Sequence, residues 1–244
     1  MISQTSRLVL ALLLLSHGFA DFVAQTDKMV TDKTYGYRAA YVKHFFANFI
    51  TSFVLMLPFM SLYVLTILLL LSLMHIFIDF MGYRRQHAIN NVPGFFIDQA
   101  CHIFLIIIAW LVMRYSVAMP FSNAYINTDI LSRYGDIACI AVVYLYVIFG
   151  GAVFMKKIMR HPLIKISQQE VAGVGRYIGM LERAIIMTLV LFDAMTAMAF
   201  VLTAKSLARY KELDDKAFAE YYLMGTLAST LIALAGGLLA RLWL

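Results

Sequence analysis

Long apolar runs separated by short polar segments dominate the chain. Seven of them, centred near residues 7–24, 40–58, 61–82, 94–115, 133–155, 180–204 and 218–240, approach the roughly 20 residues that a helix needs to cross a hydrocarbon core about 30 Å thick. The pattern predicts an all-α fold, a polytopic transmembrane helical bundle of about seven spanning helices. Only Pro58 to Ser61 separates the second and third runs, so these two should form a tight antiparallel hairpin. The longest polar interruptions are Ser116 to Ser132 and the basic stretch Lys156 to Arg176. The expected organisation is a four-helix half over 1–115, a loop over 116–132, and a three-helix scaffold or lid over 133–244.

Composition strengthens this picture. Hydrophobic residues make up 62% of the chain and charged residues 14%, with a mean hydropathy of +0.80, whereas soluble domains carry about a quarter charged residues. A water-soluble globule is excluded. The net charge of +6 does not point to nucleic acid, because Lys and Arg gather at the ends of the apolar runs and form no basic face interleaved with aromatics. They act instead as orientation signals. With seven crossings, one side holds Lys28, Lys33, Arg38, Lys43, Arg84, Arg85, Lys156, Lys157, Arg160, Lys165, Arg176, Arg183 and Arg241. The other holds Arg7, Arg114, Arg133, Lys205, Arg209, Lys211 and Lys216. The positive-inside rule makes the first side cytoplasmic and the 116–132 loop extracytoplasmic. The cluster Lys205 to Lys216 disagrees, which requires either an interfacial amphipathic helix there or a span count off by one. Arg7, the first apolar run and Ala20 also have the outline of a signal peptide, but the n-region is weakly basic and a spanning helix is the expectation. Cys101 and Cys139 lie in apolar runs without a Cys-x-x-Cys pattern and read as packing residues.

The chemistry lies in the first four runs. Three of them pair a His and an Asp four positions apart: His17 with Asp21, His75 with Asp79, and Asp98 with His102. Residues at that spacing share one helix face. His44 joins them from the second run, and Gln25, Asp27 and Gln99 accompany the set as hydrogen-bond partners. Helix direction supplies the main argument. Asp21 ends the first helix, His44 starts the second, His75 and Asp79 end the third, and Asp98 and His102 start the fourth, so alternating helices bring all of them to the cytoplasmic face. Ionisable groups in a span cost roughly 2.5–3.5 kcal/mol each and tend to pair and to serve function. A divalent ion would neutralise such a layer; imidazole and carboxylate suit zinc first, and also iron or manganese. The donors suffice for one catalytic ion with supporting hydrogen bonds, or for two ions about 3.5–4 Å apart. Without an ion, the same residues would form a polar seam or a proton pathway. Arg84 and Arg85 either anchor the third helix or hold an anionic substrate group. His87 and His161 fall in polar loops. Gly175 and Gly179 have the small-xxx-small spacing of close helix packing, and Asp193 stands as a lone carboxylate near the middle of the sixth run, where no Gly or Pro breaks the helix.

The string His17-Gly-Phe-Ala-Asp21-Phe-Val-Ala-Gln25-Thr-Asp27, then His44, His75-Ile-Phe-Ile-Asp79 and Asp98-Gln-Ala-Cys-His102 resembles an uncharacterised family of bacterial and phage-borne inner-membrane proteins carrying a domain-of-unknown-function label. The resemblance extends into the second half through Gly175 to Arg183, Ala204 to Glu212 and Phe218 to Thr226, and it implies a multi-pass inner-membrane location. A looser likeness, confined to His-x-x-x-Asp elements on membrane helices, is to membrane-bound metal-dependent hydrolases. It implies hydrolysis of a lipid-like or membrane-proximal substrate, with whichever of Asp21, Asp79 and Asp98 is not a ligand as general base. The other classes are an ion- or proton-coupled transporter using Asp193, and a non-enzymatic protein with a structural metal that binds a partner membrane protein, a second copy of itself, or lipid through Lys205, Arg209 and Lys211. No phosphate loop, nucleophile elbow or His-Glu-x-x-His motif is present.

Overall fold

A computed structural model describes residues 4–84, 92–114, 128–159 and 174–243, and every element in them is helical. The chain divides into two compact units, Met1–Val142 and Val143–Leu244. The division falls inside a helix and not in the expected 116–132 loop. Helix α6 (Thr128–Leu145) begins before that loop was expected to end, and its first half belongs to unit one through an Arg7–Asp136 ion pair of 2.8 Å and the packing of Leu131, Ala138 and Cys139.

Unit one is a ring of four helices: α1 (Gln4–Phe19), α3 (Arg38–Leu55), α4 (Leu62–Arg84) and α5 (Val92–Met113), with α1 and α4 each packed between α3 and α5. The expected tight hairpin is present, α3 and α4 being joined through a 3₁₀ turn at Leu57–Phe59. The end of the ring formed by the start of α1 is apolar, built from Leu8, Val9, Leu13, Met56, Phe59, Val64, Leu68, Ile106, Trp110 and Met113. There Trp110 Nε1 donates to the Ser6 carbonyl at 2.7 Å, which satisfies an indole that would otherwise be buried without a partner. The opposite end is polar. A short helix, α2 (Asp27–Thr34), sits between α1 and α3 in sequence, is N-capped by Thr26, and packs on α3 and α4.

Among the described residues, five helical stretches are long and apolar enough to cross a membrane: Gln4–Ala24, Leu62–Gly82, Val92–Met113, Ile130–Ile158 and Lys216–Trp243. The other two expected spans differ, each for a visible reason. In α3 the four-residue stripe Ala40, His44, Asn48, Ser52 is buried while Val42, Phe46, Ile50 and Val54 are exposed. The helix therefore turns its polar face to the bundle and its apolar face outward, and its average hydropathy falls. The sixth expected span is two helices, α8 (Val174–Leu191) and α9 (Ala197–Ala208), separated by an irregular break. Asp193 lies in that break with φ 58° and pairs with Arg241 at 2.8 Å. It is not a lone carboxylate in mid-helix, and the segment is broken without Gly or Pro; a left-handed Asp, one of the few non-glycine residues to adopt that conformation readily, supplies the turn.

Unit two contains the end of α6, a π turn at Tyr146–Gly150, α7 (Gly151–Ile158), α8, α9 and α10 (Lys216–Ala240). Its close approach is made by Gly236 and Gly237 of α10, not by the Gly175 and Gly179 pair; the nearest outside neighbour of Gly179 is Arg183 of its own helix. A Cβ on Gly237 would stand 2.7 Å from Cβ of Val190. Gly237→Ala should therefore lower stability by about 1–3 kcal/mol through overpacking, as a depressed unfolding temperature in detergent would record. Two of the four cations in the Lys205 to Lys216 segment, which disagreed with the charge count, are paired locally: Lys205 with Glu182 at 2.6 Å and Arg209 with Glu212 at 2.7 Å.

Candidate metal centre

The polar end of unit one is organised by where each helix stops or starts. Helix α1 does not simply end; it widens into a π turn, Ala20–Ala24, and such turns recur at functional sites because they re-aim one side chain. The side chain re-aimed here is Asp21. Its Oδ1 lies 3.3 Å from His44 Nε2 and 3.2 Å from His75 Nε2, while Oδ2 lies 3.8 Å from His17 Nδ1. Asp79, at the end of α4, spans the other half: Oδ1 is 3.4 Å from His102 Nε2 and Oδ2 is 3.4 Å from His44 Nε2. Asp98 Oδ1 closes the layer 3.7 Å from His102 Nε2. The four imidazoles stand together, with ring centroids 4.2 Å apart for His75 and His102 and 4.9 Å for His44 and His75.

All four histidines and Asp79 are buried, and the layer is poorly satisfied by hydrogen bonds. Neither ring nitrogen of His102 makes one, nor do His44 Nδ1 and Asp21 Oδ1, despite their close neighbours. Nε2 of His44 and Nε2 of His75 share a hydrogen bond of 2.8 Å, one ring donating and the other accepting. Buried polar atoms are normally paired, and exceptions call for an explanation. The distances offer one. For metal–ligand bonds of 2.0–2.1 Å a tetrahedron has edges of about 3.3–3.4 Å, close to the four His–Asp separations of 3.2–3.4 Å. Donors arranged around an ion converge on a common point and not along one another's lone pairs, which leaves them close together without hydrogen-bond geometry. Three overlapping sets, His17–Asp21–His75, His44–His75–Asp79 and Asp79–Asp98–His102, each bring their donor atoms within 4.8 Å of one another and could hold an ion.

Residues 9–129 match the family described as a protein of unknown function (DUF3307). The DUF3307 region takes in the whole His and Asp layer and just under half of the chain, so an uncharacterised family is what this part is similar to. The likeness noted for residues beyond 129 lies outside that match. No curated protein and no solved structure matches the chain.

Of the accompanying residues, Gln99 donates to Asp98 Oδ2 at 3.2 Å and to Asp21 Oδ2 at 3.5 Å, bridging two carboxylates of the layer. Gln25 accepts from Lys33 Nζ at 3.3 Å. Asp27 is exposed in the first turn of α2, the helix that Thr26 caps. Arg84 ends α4, and its side chain lies outside the described residues, as do Arg85, His87 and His161.

Two features of the DUF3307 region were not anticipated. Lys33, counted above as a cytoplasmic surface cation, is 1% exposed: α2 directs it into the layer, where its ammonium pairs with Asp79 Oδ2. Tyr41 fixes that helix end, its hydroxyl donating to the Lys33 carbonyl at 3.1 Å. Beneath the imidazoles the polar character continues into the bundle. Ser72 donates to Asn48 Oδ1 at 2.9 Å and Ser52 donates to Ser16 at 3.1 Å. A cavity of about 10 Å³ lies there among Ser16, Asn48, Ser52, His17, His75 and His102, roughly the room one water needs.

Proposed function

We propose that unit one is a membrane-embedded, metal-dependent hydrolase of the bacterial inner membrane, with its site near the cytoplasmic face and a lipid-like or membrane-proximal substrate. The observation that carries this reading is the convergence of four histidines and three aspartates from four helices into one close layer, in which both ring nitrogens of His102, Nδ1 of His44 and Oδ1 of Asp21 are buried without a hydrogen bond. Zinc suits the donor set best, with iron or manganese as the alternatives. When bound, such an ion supplies Lewis-acid activation of water near neutral pH. The residues divide the remaining work. His17, His44, His75, Asp21 and Asp79 hold the ion, with Gln99 fixing the Asp21 carboxylate. Asp98, the most exposed of the three carboxylates at 16%, accepts the proton of the attacking water, and the small cavity beside His17, His75 and His102 keeps the reacting volume small and polar. The cytoplasmic assignment follows from Lys28, Arg38 and Lys43, which lie exposed at this end of the ring.

The test is elemental analysis of protein extracted in mild detergent without chelator, joined to release of water-soluble headgroups from mixed-lipid vesicles read by mass spectrometry. Metal should accompany the wild-type chain, and Asp98→Asn should slow release by about 100-fold or more, the scale of general-base catalysis, while retaining the ion. Metal-free protein, or release unaffected by Asp98→Asn, overturns the reading. A second reading, an ion pathway, is favoured by the break around Asp193, since interrupted helices mark the sites of many transporters. Ion flux into proteoliposomes that disappears in Asp193→Asn would select it. A closed metal with no exchangeable position would instead favour a structural ion in a non-enzymatic partner protein.

A further inference from the structure

Lys33 is the one buried ammonium described in the layer, and its position is constructed. Thr26 caps α2 at one end, Tyr41 holds its last turn at the other, and between them the eight-residue helix turns Lys33 inward until its side chain has no exposure. There Nζ pairs with Asp79 Oδ2 and lies 3.3 Å from Gln25 Oε1. A buried cation of this kind is expensive unless it balances buried anions.

The balance can be counted. Asp21, Asp79 and Asp98 contribute three negative charges, Lys33 contributes one positive charge, and neutral imidazoles contribute none, leaving two negative charges for a single divalent ion to neutralise. A second divalent ion would leave the layer with two excess positive charges in a low-dielectric setting. Geometry agrees with the count. Lys33 pairs with Asp79 Oδ2, which also lies 3.4 Å from His44 Nε2, so the ammonium takes one side of a carboxylate that two ions would have to share, while Asp79 Oδ1 faces His102 at 3.4 Å. Resting on the metal reading above, we infer that Lys33 is a built-in substitute for a second metal ion: it restricts a donor set large enough for two ions to one.

Equilibrium dialysis of the detergent-solubilised full chain against zinc, and separately against manganese, with metal and protein quantified together, tests the inference. Wild-type protein should saturate at one ion per chain. Lys33→Gln should saturate at two, and Lys33→Arg, which keeps the charge, should remain at one. The double variant Lys33→Gln with Asp98→Asn restores the original charge balance and should return to one ion. Two ions on the wild-type chain overturn the inference while leaving the metal reading intact, as does Lys33→Gln saturating at one. No ion on the wild-type chain overturns both. The wild-type titration is decisive even where Lys33→Gln fails to fold.

Discussion

Asp79→Asn should cost the protein its metal and much of its stability at once. Asp79 is shared by two of the three ligand sets, with its two oxygens facing His102 and His44 separately, so one substitution removes a donor from both. Loss of a mere hydrogen-bond partner to a ligand weakens metal binding by about 10–100-fold; loss of a shared ligand should exceed the upper end of that range. The same change leaves Lys33 as an uncompensated buried cation, and breaking a buried pair from one side costs about 3–5 kcal/mol. Replacing both partners, Lys33→Met with Asp79→Asn, should recover most of the stability and none of the metal. Elemental analysis and thermal unfolding of the same preparations separate the two effects. Asp79→Asn protein that retains its ion at wild-type affinity would refute the placement of Asp79 as a ligand.

The layer was legible in the sequence because helix geometry is simple. Four-residue spacing places His17 with Asp21 and His75 with Asp79, and alternating direction brings α1, α3, α4 and α5 to one level, as the His44, His75 and Asp21 distances show. Asn48 and Ser52 continue the His44 stripe at the same spacing, but uncharged Asn and Ser in an apolar run carry a weak signal, because they are common wherever membrane helices meet. Three features had no comparable signal. A π turn at Ala20–Ala24 obeys no residue pattern, since it is one extra residue accommodated by packing. Lys33 resembles any interfacial lysine until a second short helix is placed beside the first, and that helix, eight residues with mean polarity, is too short to stand out by periodicity. The break at Asp193 contains no Gly or Pro; its left-handed turn is stabilised in part by Arg241, 48 positions away, and a distant ion pair is not visible to local reasoning. The span count suffered from the same limit, because α3 hides a polar face among apolar neighbours and α8 carries Arg176, Glu182 and Arg183.

Arg183→Leu should be the most damaging single change in unit two. Arg183 is 2% exposed, and its guanidinium serves three acceptors on other elements: Nε donates to the Val147 carbonyl at 2.9 Å, Nη2 to the Ile148 carbonyl at 2.8 Å, and Nη1 to Ser229 Oγ at 3.1 Å. The two carbonyls belong to the π turn Tyr146–Gly150, where the wider winding directs backbone oxygens sideways to the planar fork of donors that arginine alone provides. Gly151 permits this approach, since a Cβ there would lie 3.1 Å from Arg183 Nε. Removing the fork leaves two buried carbonyls and a hydroxyl short of donors, each worth about 1–3 kcal/mol when unsatisfied, although membrane bundles recover part of such losses through relaxation. A net loss of about 2–4 kcal/mol is therefore expected for Arg183→Leu. Arg183→Lys, with one nitrogen in place of three, should fall between it and wild type. Both follow from unfolding in graded denaturing detergent. The metal content of either variant should stay at the wild-type value, because no donor of the His and Asp layer belongs to unit two; a variant that loses its ion together with its stability would show instead that the two units are energetically coupled.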